Sequence, residues 1–286
     1  QPERFARRWI LTLRNRYAYC FLAPSLLGTL IFVLIPFADV IRRSFFRAVG
    51  GTFVGISNYR EVLVNEAFRQ ALIHTARFLA VCIPVLMVLS LCQIPAGKSF
   101  FETAFLLPMA IPVASVVVFW RLLFHSDGIL NQILYCFHME GRDWMNTEAA
   151  FWVLVCSYVW KNLGYDMVLW IAGLSGIPKE QYEAAKVSGA GRIRCFWSIT
   201  LPQMKDSVVM IGVLSFVNAF RVFREAYLIA GEYPHSSIYM LQHLFNNWFA
   251  NLDIQKMSAA AVLLAAGVSL FLLILEWWNE RQEKEG

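Results

Sequence analysis

Residues 183–202 read EAAKVSGAGRIRCFWSITLP. Glu183-Ala184-Ala185 is followed after three residues by Gly189, after nine more by Ile199, and after one more by Leu201-Pro202. The stretch is polar, carrying Lys186, Arg192 and Arg194, yet it lies between two long apolar runs. Pro178 stands where a helix can begin, because its missing N–H is one that the first turn leaves unpaired in any case. Residues 179–188 are good helix formers, and Gly189 and Gly191 interrupt them. Arg192 to Ser198 can form a second short helix before Leu201-Pro202 leads into the next apolar run. The expected shape is a compact projecting knob. The small side chains of Ala184 and Ala185 let another backbone approach closely, and Glu183 can accept hydrogen bonds or pair with a cation.

Working outward, the flanking runs set the class of protein. The chain is 58% apolar and 16% charged, and its mean hydropathy is positive. These values lie outside the range of soluble globular domains. A helix that crosses a bilayer needs about 20 apolar residues, and six runs approach that length, near 18–41, 71–92, 104–125, 150–174, 207–230 and 257–278. The expectation is an all-α polytopic membrane protein with six transmembrane helices. It divides into an N-terminal segment (1–17), a membrane domain (18–278) with a polar loop at 175–206, and a short tail (279–286). The first run is long and ends in Arg42-Arg43 without a small-residue cleavage site, so it reads as a retained span. Gln1 in place of Met is expected to reflect processing or trimming.

Lys and Arg in the loops orient the chain. With the N-terminus inside, the cytoplasmic side holds Arg4, Arg7, Arg8, Arg14 and Arg16, then Lys98, then Lys179, Lys186, Arg192, Arg194 and Lys205, and finally Arg281 and Lys284. The outer side holds fewer: Arg42, Arg43, Arg47, Arg60, Arg69, Arg142 and Lys256. The first outer loop breaks the positive-inside rule, but the balance places both termini and the 175–206 loop in the cytoplasm. The net charge of +5 therefore reflects membrane topology, and no nucleic-acid partner is expected. Six cysteines show no CxxC or zinc spacing and read as small apolar packing groups.

The cassette resembles the EAA signature of permease subunits in binding-protein-dependent ABC importers. Phe53-Val54-Gly55-Ile56-Ser57-Asn58-Tyr59 resembles the F-x-G-x-x-N-[YF] segment that follows the first span in carbohydrate permeases of this family. Ile199-Thr200-Leu201-Pro202, Leu214-Ser215-Phe216 and Tyr227-Leu228 are similar to the maltose and glycerol-phosphate type of sugar permease. The likeness covers nearly the whole chain. It implies the type I ABC importer permease fold in a bacterial cytoplasmic membrane. The 175–206 loop would couple to an ATPase subunit through Glu183, Ala184, Ala185, Gly189, Ile199, Leu201 and Pro202. It also implies a second, homologous permease, two ABC ATPase subunits and an extracytoplasmic solute-binding protein as partners. Where family members often have Asp before the glycine, this chain has Ser188, which can still cap or hydrogen-bond.

No GxxxxGK[ST] phosphate loop occurs. The chain is therefore expected to be no enzyme and to hold no cofactor, ATP and magnesium belonging to the partner subunits.

The runs on either side of the cassette are the least membrane-like. One carries Lys161, Asn162, Tyr165 and Asp166, and the other Ser215, Asn218, Arg221, Arg224 and Glu225. A charge at mid-bilayer costs roughly 2.5–3.5 kcal/mol on insertion scales, so these groups should pair or face a cavity. Two readings stand. One is a salt-bridge set joining Arg221, Glu225 and Asp166. The other, implied by the resemblance, is a substrate pathway lined by Lys161, Asn162, Tyr165, Ser215, Asn218, Ala219, Arg221 and Val222. Three further classes stay open at this point: an importer of a non-sugar solute such as an amino acid or phosphate ester, an ion-coupled secondary transporter, and an intramembrane enzyme. The histidines (His74, His125, His138, His235, His243) lack ligand spacing, which argues against the last.

Overall fold

The computed structural model describes residues 21–93, 99–220, 222, 226, 227, 231 and 233–285. Arg221, Arg224 and Glu225, together with the basic N-terminal residues and Lys98, lie outside these. The described residues form helices joined by short connections, with one isolated antiparallel bridge between Phe46 and Phe53. In lipid every backbone N–H and C=O must find a partner within the chain, and the helix supplies these partners locally. The chain divides into two compact units: Gln1–Val64 with Trp248–Ser269, and Asn65–Asn247 with Leu270–Gly286.

The first unit begins with α1 (Phe21–Ser44), an apolar helix with a π-helical turn at Leu30–Leu34 and no buried residue in its most apolar window. A tight hairpin follows. The Arg47 N–H donates to Thr52 O (2.9 Å) and the Val54 N–H to Phe45 O (2.9 Å). Gly50 and Gly51, at φ +81° and +58°, form its tip. The F-x-G-x-x-N-Y positions close this hairpin. Phe53 meets Phe46 edge to face, Asn58 Nδ2 donates to Ser44 O (2.8 Å) and Phe46 O (3.0 Å), and Tyr59 OH pairs with Ser44 Oγ (2.6 Å). Helix α2 (Ser57–Val64) carries Glu61, which meets Lys256 Nζ at 2.8 Å.

The second unit contains α3 (Glu66–Gln93), α4 (Ser99–Ala110), α5 (Val113–Phe124), α6 (Ile129–Cys136) and α7 (Ala149–Ser175). These are followed by α8 (Lys179–Val187), α9 (Arg192–Cys195), α10 (Lys205–Ala219) and most of α11 (Leu241–Ala250). The final helix, α12 (Ile254–Glu285), runs through both units without a break at residue 279. Helix α7 is the axis of the second unit and packs against α3, α4 and α10. Its Phe151, Leu154, Val155 and Tyr158 join Phe78, Cys82 and Leu86 of α3 in one buried cluster. Gly164 allows α4 to approach closely: a Cβ there would lie 2.2 Å from Phe105 O. Trp170 Nε1 donates to Ser90 Oγ (3.0 Å), tying α7 to α3 at a second level.

The third apolar run, near 104–125, is divided between two helices, α4 and α5. Pro108 sits inside α4, but Pro112, at φ −56° and ψ 139°, caps α5, so the helix breaks at Ile111–Pro112. The reason is the missing N–H of Pro112 together with its clash with the preceding turn. Of the six apolar runs, the fifth lies partly outside the described residues, at 221, 223–225 and 228–230. Among the described residues, four segments are long and apolar enough to cross a membrane: Phe21–Ser44, Glu66–Cys92, Val113–Cys136 and Ile254–Asn279. Helix α7 has the length, 27 residues, but its interior Lys161, Asn162 and Asp166 dilute its apolarity. Helix α10 is described over 15 residues.

Candidate functional site: the projecting knob and its two supporting helices

The cassette folds as its residue types dictate. Pro178 is the N-cap of α8, and Glu180 in the first turn with Lys186 in the last complements the helix dipole. At the other end the Gly189 N–H donates to Lys186 O (2.9 Å) and the Ala190 N–H to Ala185 O (2.9 Å). With Gly189 at φ +78°, this is a Schellman cap, which requires a left-handed residue and so favours glycine. Ser188 Oγ donates to Ala184 O (3.0 Å), so the residue in the place of the family's Asp adds a local hydrogen bond to the same cap.

The return limb runs through α9, a π-helical turn (Phe196–Thr200) and the short helical turn Leu201–Gln203, in which Pro202 takes a first-turn position. Two hydrogen bonds close the knob at its base: Tyr182 OH with Thr200 Oγ1 (2.8 Å), and Gln203 Nε2 with Gln181 Oε1. Ile199 packs with Tyr182 against a buried cluster of Trp170, Ile177, Met204 and Ile211.

The motif therefore divides in two. Its second half, Ile199, Leu201 and Pro202, sets the base. Its first half faces outward: Glu183 and Ala184 are exposed and Ala185 is half-buried. Around them Val187 is 91% exposed, Ile193 78% and Trp197 63%. A groove of about 310 Å³ separates the limbs, where Ala185 and Ser188 face Arg194, Ser198 and Ile199. The hydrophobic rim was not among the sequence expectations, although Val187, Ile193 and Trp197 are plainly apolar residues inside a polar loop.

The two helices that support the knob hold the polar groups singled out in the sequence. On α7, Lys161 and Asp166 are buried, and Asn162 and Tyr165 are half-buried. Asn162 Nδ2 donates back to Tyr158 O (2.8 Å). On α10, Ser215 is buried and its Oγ donates to Asp166 Oδ2 (2.8 Å). This serine is the described partner of Asp166, whereas Arg221 and Glu225 of the anticipated salt-bridge set fall outside the described residues. Asn218 is half-buried. Ala219 and Val222 sit in the apolar cluster with Phe78, Leu86 and Ile238, so the structure places them in packing. Among the described residues, no group of three His, Cys, Asp or Glu side chains could hold a metal ion.

This architecture defines a multi-pass helical membrane component with an exposed, capped knob between two of its helices. Residues 95–285 match the family described as binding-protein-dependent transport system inner membrane component, and the chain belongs to that family. It is similar to the arabinooligosaccharides transport system permease protein AraP of Bacillus subtilis, with 33% identity over 74% of this chain and 71% of that one. It is also similar to the diacetylchitobiose uptake system permease protein NgcF of Streptomyces coelicolor, with 31% identity over 94% of this chain and 84% of that one. The fold matches a crystal structure of a bacterial ABC transporter involved in the import of the acidic polysaccharide alginate. The TM-score is 0.82 at 20% identity, covering 96% of this chain and 99% of that one. The chain is thus a permease subunit of an ABC importer and is not itself an enzyme.

Proposed function

We propose that this permease carries a sugar or oligosaccharide and forms half of the translocation pathway. In this reading it pairs with a second, homologous permease and two ABC ATPase subunits, which hold ATP and magnesium, and it receives cargo from an extracytoplasmic solute-binding protein. Both termini and the 175–206 loop lie in the cytoplasm, beneath a membrane domain spanning 18–278. ATP binding closes the ATPases, the knob moves with them, and α7 and α10 carry that motion to the polar residues between the bilayer faces.

The observation that carries the coupling reading is the form of the knob. Glu183 and Ala184 stand exposed on a capped helix, and the same loop also exposes Val187, Ile193 and Trp197. Exposed apolar side chains rimmed by polar ones mark interaction surfaces. The cargo reading is supported by the named cargoes of the similar permeases, arabinooligosaccharides and diacetylchitobiose. A phosphate-ester cargo is kept as the second reading, because the sn-glycerol-3-phosphate transport system permease protein UgpA of Agrobacterium fabrum is 28% identical over 86% of this chain.

Glu183→Lys tests the coupling. It should abolish co-purification of the ATPase subunits and ATP-driven uptake while the permease still reaches the membrane. Intact association and uptake in that variant would refute the role given to the loop. A binding titration on the partner solute-binding protein, with oligosaccharides and glycerol phosphate in parallel, separates the two cargoes.

A further inference from the structure

Asp166 is 1% exposed and Ser215 1% exposed, and one hydrogen bond of 2.8 Å joins them. Asp166 Oδ1 is buried with no hydrogen-bond partner among the described residues. Nearby positions on both helices are buried and apolar: Met167 and Trp170 on α7 are 2% and 4% exposed, and Ile211 one turn before Ser215 is 2% exposed. A carboxyl group here is costly. An apolar side chain of similar volume is often neutral or stabilising in place of a buried polar pair. Packing alone therefore gives no reason for this pair.

Its place in the fold does. The two residues lie on the two helices that enter and leave the knob. From Asp166 to the start of α8 at Lys179 is 13 positions, and from Leu201 to Ser215 is 14. The bond therefore joins the two helices at nearly equal chain distances from the knob. Between it and the two hydrogen bonds at the base of the knob, the arms touch through a close contact, where a Cβ on Gly173 would lie 2.8 Å from Ser207 Oγ, and through the apolar cluster of Trp170, Ile177, Met204 and Ile211. Non-directional contacts of this kind permit sliding. A directional hydrogen bond in a dry interior sets one register.

We propose that the Asp166–Ser215 pair is a cross-brace that makes α7, α10 and the knob move as one body, so that Asp166 and Ser215 are positioning residues for energy coupling. The proposal rests on the coupling reading of the knob. Without the brace the arms shear against each other, the knob tilts on its own when the ATPases close, and ATP is hydrolysed without motion reaching the membrane interior.

The test uses the complete transporter in nanodiscs, with spin labels at Glu148→Cys and Glu180→Cys after replacement of the native cysteines. These positions lie just before α7 and in the first turn of α8. Their distance is measured with no nucleotide and after trapping with ATP and vanadate. The unmodified brace should give one narrow distribution that is the same in both states. Asp166→Leu and Ser215→Ala should each give a broadened distribution that shifts on trapping. Asp166→Asn should behave as the parent, because its amide oxygen still accepts from Ser215 Oγ. Ser215→Ala removes one oxygen, so it reports on the brace if Asp166→Leu does not assemble. The proposal is overturned if the serine variant keeps the parent distribution in both states, or if Asp166→Asn is as disturbed as Asp166→Leu. Failure of the underlying coupling reading would show separately, as absence of ATPase subunits on the unsubstituted chain.

Discussion

Gly189 shows how one backbone angle can decide a motif. At φ +78° an L-residue places its Cβ against the following carbonyl, which costs about 1–2 kcal/mol. Nothing lies within 4 Å of a Cβ built there, so the cost is conformational and not a clash. Gly189→Ala should therefore leave the membrane helices intact, fray the end of α8 and weaken ATPase association roughly tenfold, taking about 1.4 kcal/mol per factor of ten. A pull-down titration with the ATPase subunit reads this directly. His243 is a second single-residue case. It lies on α11, outside the membrane-spanning segments, with no exposed surface, and its Nδ1 accepts from the Met240 N–H (3.2 Å). Burial pushes its pKa down to about 4 from the usual 6.5. Between those values the unfolded chain holds the proton and the folded chain does not, so stability rises with pH across this window. It is complete above pH 6.5 and lost as pH falls towards 4, by up to ~3 kcal/mol from this group. Thermal unfolding in detergent should show a lower Tm at pH 5 than at pH 7, and His243→Gln should flatten that difference. An unchanged slope would remove His243 from the explanation.

The elements explain what reading along the chain could and could not reach. The start of α8 at Pro178, its end at Gly189 and the inward turn at Leu201-Pro202 were legible because each depends on residues within a few positions. The apolar runs were legible for the same reason. The Asp166–Ser215 bond was not, because its partners are 49 residues apart and the choice of partner depends on how helices pack. Nor could reading along the chain show that Ala219 and Val222 join an apolar cluster with Phe78, Leu86 and Ile238. The contact between α7 and α4 rests on Gly164. A Cβ there would lie 2.2 Å from Phe105 O and 3.0 Å from Leu106 Cα, both backbone atoms that cannot swing aside. Gly164→Ala should force α4 and α7 apart and cost about 1–3 kcal/mol, as overpacking does. The check is a lower Tm in detergent for this variant than for Gly267→Ala, where nothing lies within 4 Å.

At the scale of the molecule, the basic residues argue for a cytoplasmic knob, while Arg42, Arg43 and Arg47, at the end of α1 and in the hairpin after it, run against the simple charge rule. Arg42 and Arg43, in the last turn of α1, both pair with Asp39, at 2.9 and 2.6 Å. An impermeant thiol reagent on intact cells should label Asn146→Cys and leave Lys179→Cys untouched until the membrane is opened. The central claim is that the exposed face of α8 is where an ATPase subunit docks. A photo-crosslinking amino acid in place of Ala184 tests it most directly, with Val49, 84% exposed on the hairpin tip, as the control site. Illumination of the active transporter should join position 184 to the ATPase subunit and leave position 49 unjoined to it. A transporter that still imports its cargo but gives no ATPase adduct at 184, or gives one equally at 49, would contradict the account.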